Sequence, residues 1–399
     1  MSGASAAGAF GRWERVRRAL GERQSRHLFE EVMRHGLTVA RRRRPALTAP
    51  LLVAYVLALG VHGVGLLAGI LGLVLLARPW SNLFIPLAGV TLLLLCVAAR
   101  PRLAREPDQP LDRARFPALH ALSDRVARAL GVPPPDGLAI CADFTANYRA
   151  AGWRRRRHVE LGSPLLAILT PEELAAILAH ELSHGANGDP LRGQFLGQAI
   201  HLLATWGTAV RPLALGDLGR GSAGGPIVSL LALPLEFAML GLSELLFAWA
   251  RGMLWLVMRE SQRAEYLADL LAATVVGSAA MRAALEKLYL HEVVDAAIRV
   301  HALTTPDDAI DARIADAARA VDAAEFASYR TTSRNESWRA DASHPPTAMR
   351  VDFLAAHEAL AATITIDDEE RLALAEEISR LLALTRATLV GRKLEAIYG

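Results

Sequence analysis

The sequence predicts a mainly α chain: an N-terminal transmembrane helical hairpin joined to a helical domain that carries a small edge β-sheet, with up to two further membrane helices later on. Three observations carry this reading. Two uncharged apolar runs, Leu51–Ala77 and Leu83–Ala99, lie back to back near the N-terminus. Beyond Arg105 the pattern turns amphipathic and Ala-rich, with only short strand-like runs. Hydrophobic residues make up 52% of the 399 residues, high for a purely soluble protein, so membrane segments account for part of the excess.

The first apolar run exceeds the roughly 20 residues a helix needs to cross a bilayer. It is joined to the second by the short stretch "RPWSN", in which Trp80 suits an interfacial position. Arg41–Arg44 precede the hairpin and Arg100, Arg102 and Arg105 follow it, while its loop holds only Arg78. The positive-inside rule therefore puts both outer ends in the cytoplasm. The run begins too deep for an ordinary cleavable signal, and the acids Glu14, Glu22, Glu30 and Glu31 argue against a transit peptide. Residues 1–48 thus read as a basic cytoplasmic extension and 49–100 as the hairpin.

A soluble pattern follows over 101–350. Phe116–Leu130 is an amphipathic helix stopped by Gly131, and Leu138–Cys141 and Val159–Gly162 are short strands around "TANYRAAGWRRRR". Two apolar inserts interrupt this domain, at about 192–213 and 227–258, with "GDLGRGSAGGP" as a flexible connector between them. In the second, Glu236, Glu244 and Arg251 fall on one helical face, which suits an inserted helix with a sheltered polar side as well as a core helix. A polar loop is expected around Thr331–Pro346, and 351–399 closes with a charged helix near Asp368–Ile397.

Net charge is +3 from nearly balanced acids and bases, so no polyanionic partner is demanded and no nucleic acid is expected. Cys96 and Cys141 are the two cysteines, too few for a disulfide framework or a cysteine metal site. Any metal must rest on His and carboxylates. The stretch "TPEELAAILAHELSHGANGD" supplies them. Thr170, Pro171 and Glu173 form a helix start with a capping box. His180 and His184, four apart, project from one side of that helix and can reach one cation. Glu181 suits contact with a water beside it. Gly185 and Gly188 can end the helix, with Asp189 just beyond to orient a ligand histidine. Glu265 and Asp269, also four apart on a second helix, are candidates for a third ligand and a bracing carboxylate, although the spacing alone favours a solvated helix face.

"HELSHGANGD", an apolar segment and then "SQRAEYLAD" resemble the membrane-bound zinc metallopeptidases of the gluzincin group, the HtpX-like branch more than the CAAX prenyl proteases. The resemblance covers roughly Asp112 to Arg350 and implies a zincin-like metallopeptidase domain with one zinc ion per chain. It makes His180, His184 and Glu265 the ligands, Glu181 the general base and Asp269 a supporting carboxylate. "SHPPTAMR" is similar to the family's Ser/Thr-His-Pro motif, implying that His344 stabilises the oxyanion and that Arg350 positions substrate or the site. "TANYRAAG" is similar to its active-site edge strand, implying substrate backbone contacts at Asn147 and Tyr148. Tyr148-Arg149 depart from the usual Ala-Phe, and Ala264 stands where arginine is frequent, which bears on substrate preference more than on catalysis.

The expected function is a zinc-dependent endopeptidase of the cell (inner) membrane. Its catalytic domain faces the cytoplasm and acts on membrane or misfolded polypeptides in quality control. The alternative is a catalytically silent scaffold or chaperone-like membrane protein that retains the zinc-binding fold.

Overall fold

A computed structural model of the chain describes residues 27–34, 48–100, 104–187, 189–211, 225–305, 309–335, 344–357 and 360–398, with the side chains of 186–192 and 225–233 left aside. Arg41–Arg44, nearly all of the connector Gly216–Pro226 and residues 336–343 of the polar loop lie outside the described residues. Two units emerge. One comprises 103–190 and 261–399 with the N-terminal segment; the other comprises 46–102 and 191–260.

In the first unit, local signals set the helix ends. α3 (Pro117–Leu130) starts on proline and stops at Gly131, which takes φ +68°. Gly131 donates to Arg128 O and Val132 to Ala127 O, both at 3.0 Å, the paired bonds of a Schellman stop. α4 (Ser163–Leu166) is a single turn, and α5 (Pro171–Asn187) opens on the expected capping box. The Glu173 carboxylate accepts from Thr170 N at 2.8 Å, and Glu173 N donates back to Thr170 Oγ1 at 3.3 Å. Leu174, Ile177, Leu178 and Leu182 bury its apolar side.

Three strands accompany these helices: β1 (Gly137–Cys141), β2 (Ala146–Ala151) and β3 (Arg156–Gly162), in the order β1-β3-β2. β1 runs parallel and β2 antiparallel to the central β3, with Tyr148 opposite Val159. β2 is therefore an edge. The C-terminal part of α7 (Gly225–Val276), α8 (Ser278–Lys287), α9 (His291–Thr304), α10 (Ile310–Ala320), α12 (Thr347–Ala356) and α13 (Asp368–Tyr398) share one apolar core with α3, α5 and the sheet. α13, at the end of the chain, is part of this core: Glu377 accepts from the free amides of Ala118 and Leu119 at the start of α3, both at 2.9 Å. α11 (Ala323–Asn335) carries helix into the first residues of the expected polar loop.

The second unit contains α1 (Ala49–Ala77), α2 (Phe84–Ala98), most of α6 (Asp189–Ala209) and α7 up to Glu260. α1 is about 43 Å long at 1.5 Å per residue, enough to cross a hydrocarbon core of about 30 Å. The segment Pro234–Val276 of α7 also passes the length and composition test, whereas α2, at 15 residues, is a shorter apolar helix. Asn82 explains the start of α2, since its Oδ1 accepts from Phe84 N and Ile85 N at 3.1 and 3.3 Å. α1 and α2 meet through glycines: a Cβ at Gly72 would stand 2.8 Å from Gly89 O, and one at Gly69 would stand 2.7 Å from Cys96 Sγ. Leucines, isoleucines and valines cover the outside of both helices; Leu67 is 70% exposed. Such a surface suits lipid rather than water. Inside, Leu51, Ala54 and Val61 of α1 pack with Leu196, Ala199 and Leu203 of α6 and Met253 of α7.

The second insert and the Glu260–Ala273 segment form one helix of 52 residues, α7, rather than two. Nothing between Met258 and Glu265 breaks a helix: the intervening residues are charged or polar apart from Ala264 and contain no Pro or Gly. Of the charges expected on one face, Arg251 and Glu244 lie 3.9 Å apart and exposed.

Candidate metal centre

Two helices supply the site, and both lie in the first unit at this point. α5 presents His180, Glu181 and His184, and α7 presents Glu265 and Asp269. His180 Nε2 and His184 Nε2 stand 3.2 Å apart with the rings at 88°. Glu265 closes the triangle, with Oε2 3.5 Å from His180 Nε2 and Oε1 3.3 Å from His184 Nε2. Among the described residues, these three form the group whose donor atoms converge closely enough to hold a metal ion.

Behind the triangle sits a buried ion cluster. Asp269 Oδ1 lies 2.9 Å from His180 Nδ1, which turns the other ring nitrogen toward the triangle. Arg350, on α12, grips the same carboxylate with Nε at 2.7 Å and a terminal nitrogen at 2.6 Å. Its second terminal nitrogen stands 3.4 Å from Glu265 Oε2. The guanidinium is 5% exposed, so its role is internal: it neutralises two carboxylates that could not otherwise be buried side by side. Burial opposes the charge on Arg350, but Asp269 and Glu265 overcome it and hold the guanidinium's pKa above its ordinary value. Burial likewise pushes the His180 imidazole toward its neutral form, and the bonds to Asp269 and Glu265 outweigh it, raising the pKa.

His344 reaches the site from the other side. Pro345 and Pro346 keep the chain extended before α12, and His344 Nδ1 comes within 2.9 Å of Glu265 Oε2. Its side chain remains 61% exposed, in contrast to the 4% of Glu265, so the second ring nitrogen is available from outside.

The edge strand lies along α5. Tyr148 N donates to Glu181 Oε2 at 2.8 Å, so the amides on this side of β2 point away from β3 and toward α5. The Tyr148 ring crosses the helix one turn further on: a Cβ at Gly185 would meet Tyr148 Cζ at 2.6 Å and its hydroxyl at 2.7 Å. Gly185 therefore does not end the helix as expected. α5 runs through it to Asn187, and its missing side chain makes the notch for the tyrosine. A glycine in mid-helix costs about 1 kcal/mol relative to Ala, and that cost was the available signal of a close approach. Asn147, next on the strand, is exposed and turns its amide to Thr145 Oγ1. The side chain of Asp189 lies outside the described residues.

A helix with two inward histidines four apart and a glutamate between them, facing a carboxylate from a second helix, defines the metallopeptidase class of site. A family model described as Peptidase family M48 matches residues 113–358, more than half of the chain. The chain belongs to that family. Among curated proteins it is similar to the Protease HtpX homolog of Sulfurovum sp. (strain NBC37-1), 31% identical over 148 residues, 36% of this chain and 50% of that protein. It is also similar to Protease HtpX of Pseudomonas putida (strain W619), 27% identical over 176 residues, 42% and 55% of the two chains. Protease HtpX of Salmonella arizonae is 31% identical over 170 residues, 41% and 55%. The chain spans about half the length of the curated relatives it matches.

Proposed function

We propose that the chain is a zinc-dependent endopeptidase, with His180, His184 and Glu265 as the residues that would hold the metal. The observation that carries this is the donor triangle. A tetrahedral ion with donors at about 2.0–2.1 Å separates them by about 3.3–3.4 Å. His180 Nε2 and His184 Nε2 stand 3.2 Å apart, and the Glu265 carboxylate faces both, with Oε1 3.3 Å from His184 Nε2 and Oε2 3.5 Å from His180 Nε2. When bound, zinc supplies Lewis acidity, polarising a carbonyl and lowering the pKa of a water to about 7.

The chain's own residues do the rest. Glu181 neighbours His180 on α5 but is not in the triangle, so its carboxylate is free to take a proton from the attacking water and return it to the leaving amine. The Tyr148 amide holds that carboxylate in orientation. His344, whose Nδ1 lies 2.9 Å from Glu265 Oε2, has Nε2 left to donate to the oxygen that gains charge as the carbonyl turns tetrahedral. Arg350 acts through Asp269 and Glu265 rather than on substrate. β2 is an edge strand, and around Asn147 and Tyr148 its outward backbone groups other than the Tyr148 amide, which Glu181 holds, suit an extended polypeptide read by its backbone. Substrates on this reading are membrane or misfolded polypeptides met at the cytoplasmic face, the side on which Arg100 and Arg105 would keep the ends of the hairpin.

The test is a comparison of purified full-length protein with its Glu181→Gln variant. Wild type should bind one zinc per chain and cleave unfolded casein, while the variant keeps the zinc and loses cleavage. Equal cleavage by the two proteins removes Glu181 from the mechanism, and a chain without zinc removes the centre.

A further inference from the structure

We propose that the tip of the β2–β3 hairpin, Trp153 with Arg154, Arg155 and Arg156, seats on the headgroup layer of an anionic bilayer. Nothing in the peptidase reading uses these residues. They form a turn held by Arg155 N donating to Gly152 O at 3.2 Å, with all four side chains exposed and Trp153 88% so. An indole left in water at the end of a hairpin contributes nothing to the core. Its flat apolar body and single N–H suit the boundary between headgroups and acyl chains.

At the tip itself, from Trp153 to Arg156, every charged side chain is basic. Arg157 is committed to Asp136 at 3.2 Å and Arg149 to Glu160 at 2.8 Å, and Glu106 lies against Gly152. Arg154, Arg155 and Arg156 have no ion-pair partner among the described residues. Arg155 also holds φ +50°, a left-handed conformation that glycine would adopt without strain. A cationic residue stands at the place where backbone geometry favours none. Three unpaired guanidinium groups beside an exposed indole complement a layer of lipid phosphates.

The turn is also held from outside the strand pair. Gly152 N donates to Ala104 O at 2.9 Å. The exposed indole beside the three guanidinium groups favours the bilayer over a nucleic acid as the polyanion.

Full-length protein is reconstituted into phosphatidylcholine vesicles, with or without roughly one-third phosphatidylglycerol, that contain lipids brominated near the headgroup. The Trp153 signal is the difference in fluorescence between wild type and Trp153→Ala. In anionic vesicles bromolipid should quench it by about half. The quenching should fall at least about twofold in neutral vesicles, in salt of roughly 1 M, or in the Arg154→Ala/Arg155→Gly/Arg156→Ala variant. Quenching that is absent, or equal in neutral and anionic vesicles, overturns the proposal. A chain that does not float with vesicles at all overturns both this and the membrane-span reading. Flotation without Trp153 quenching overturns this one alone, as does quenching absent from vesicles while a single-stranded oligonucleotide shifts the Trp153 signal in a salt-dependent way.

Discussion

Helices meet in two different ways in this molecule. α1 and α2 approach through Gly69, Gly72 and Gly89, with no charged group between them and apolar side chains turned outward. α5 and α7 meet at the site across His180, His184, Glu265 and Asp269, with Arg350 of α12 driven in beside them. The first pairing asks only that side chains stay small on one stripe. The second asks for a particular charge at every position, because each buried ion is satisfied only by its neighbours. Bulk should damage one interface and charge the other.

The largest effect is expected where chemistry can be lost without touching either interface. Glu181→Gln should lower kcat about 10²–10⁴-fold with zinc content and thermal unfolding unchanged, measured on casein. Asp269→Ala leaves Arg350 buried beside a histidine and a single carboxylate, and should cost about 3–5 kcal/mol in denaturant unfolding along with weaker zinc retention. Bulk comes next. Gly185→Val, which pushes into the Tyr148 ring, should destabilise by about 1–3 kcal/mol, and Tyr148→Ala in the same chain should recover most of it. Gly72→Leu should cost a similar 1–3 kcal/mol in detergent while leaving zinc stoichiometry alone. Leu67→Ala, on the outward face of α1, should stay within about 0.5 kcal/mol. If Gly72→Leu cost no more than Leu67→Ala, the contrast between the two interfaces would be wrong.

What was legible in the sequence was what is local. The capping box of Thr170 and Glu173 acts across three residues, and His180 with His184 across four, so both can be read from spacing alone. The apolar hairpin was legible for the same reason, as was the stop at Gly131. The non-local parts were not. Asp269 and Arg350 are 81 residues apart, and no pattern on either helix says that the guanidinium is buried rather than offered to substrate. The tyrosine that needs Gly185 sits on another element, so the glycine read as a helix end. α7 read as two pieces because its composition changes from apolar to charged around Glu260, although its backbone does not break.

The notch at Gly185 constrains the order in which this site can change over generations. While Tyr148 fills it, any side chain at Gly185 meets an aromatic ring at under 3 Å, so a descendant that gains bulk on α5 first carries a damaged site. One that trims Tyr148 first opens a space the helix can later fill. The two positions form a ratchet with one permissive direction, strand before helix.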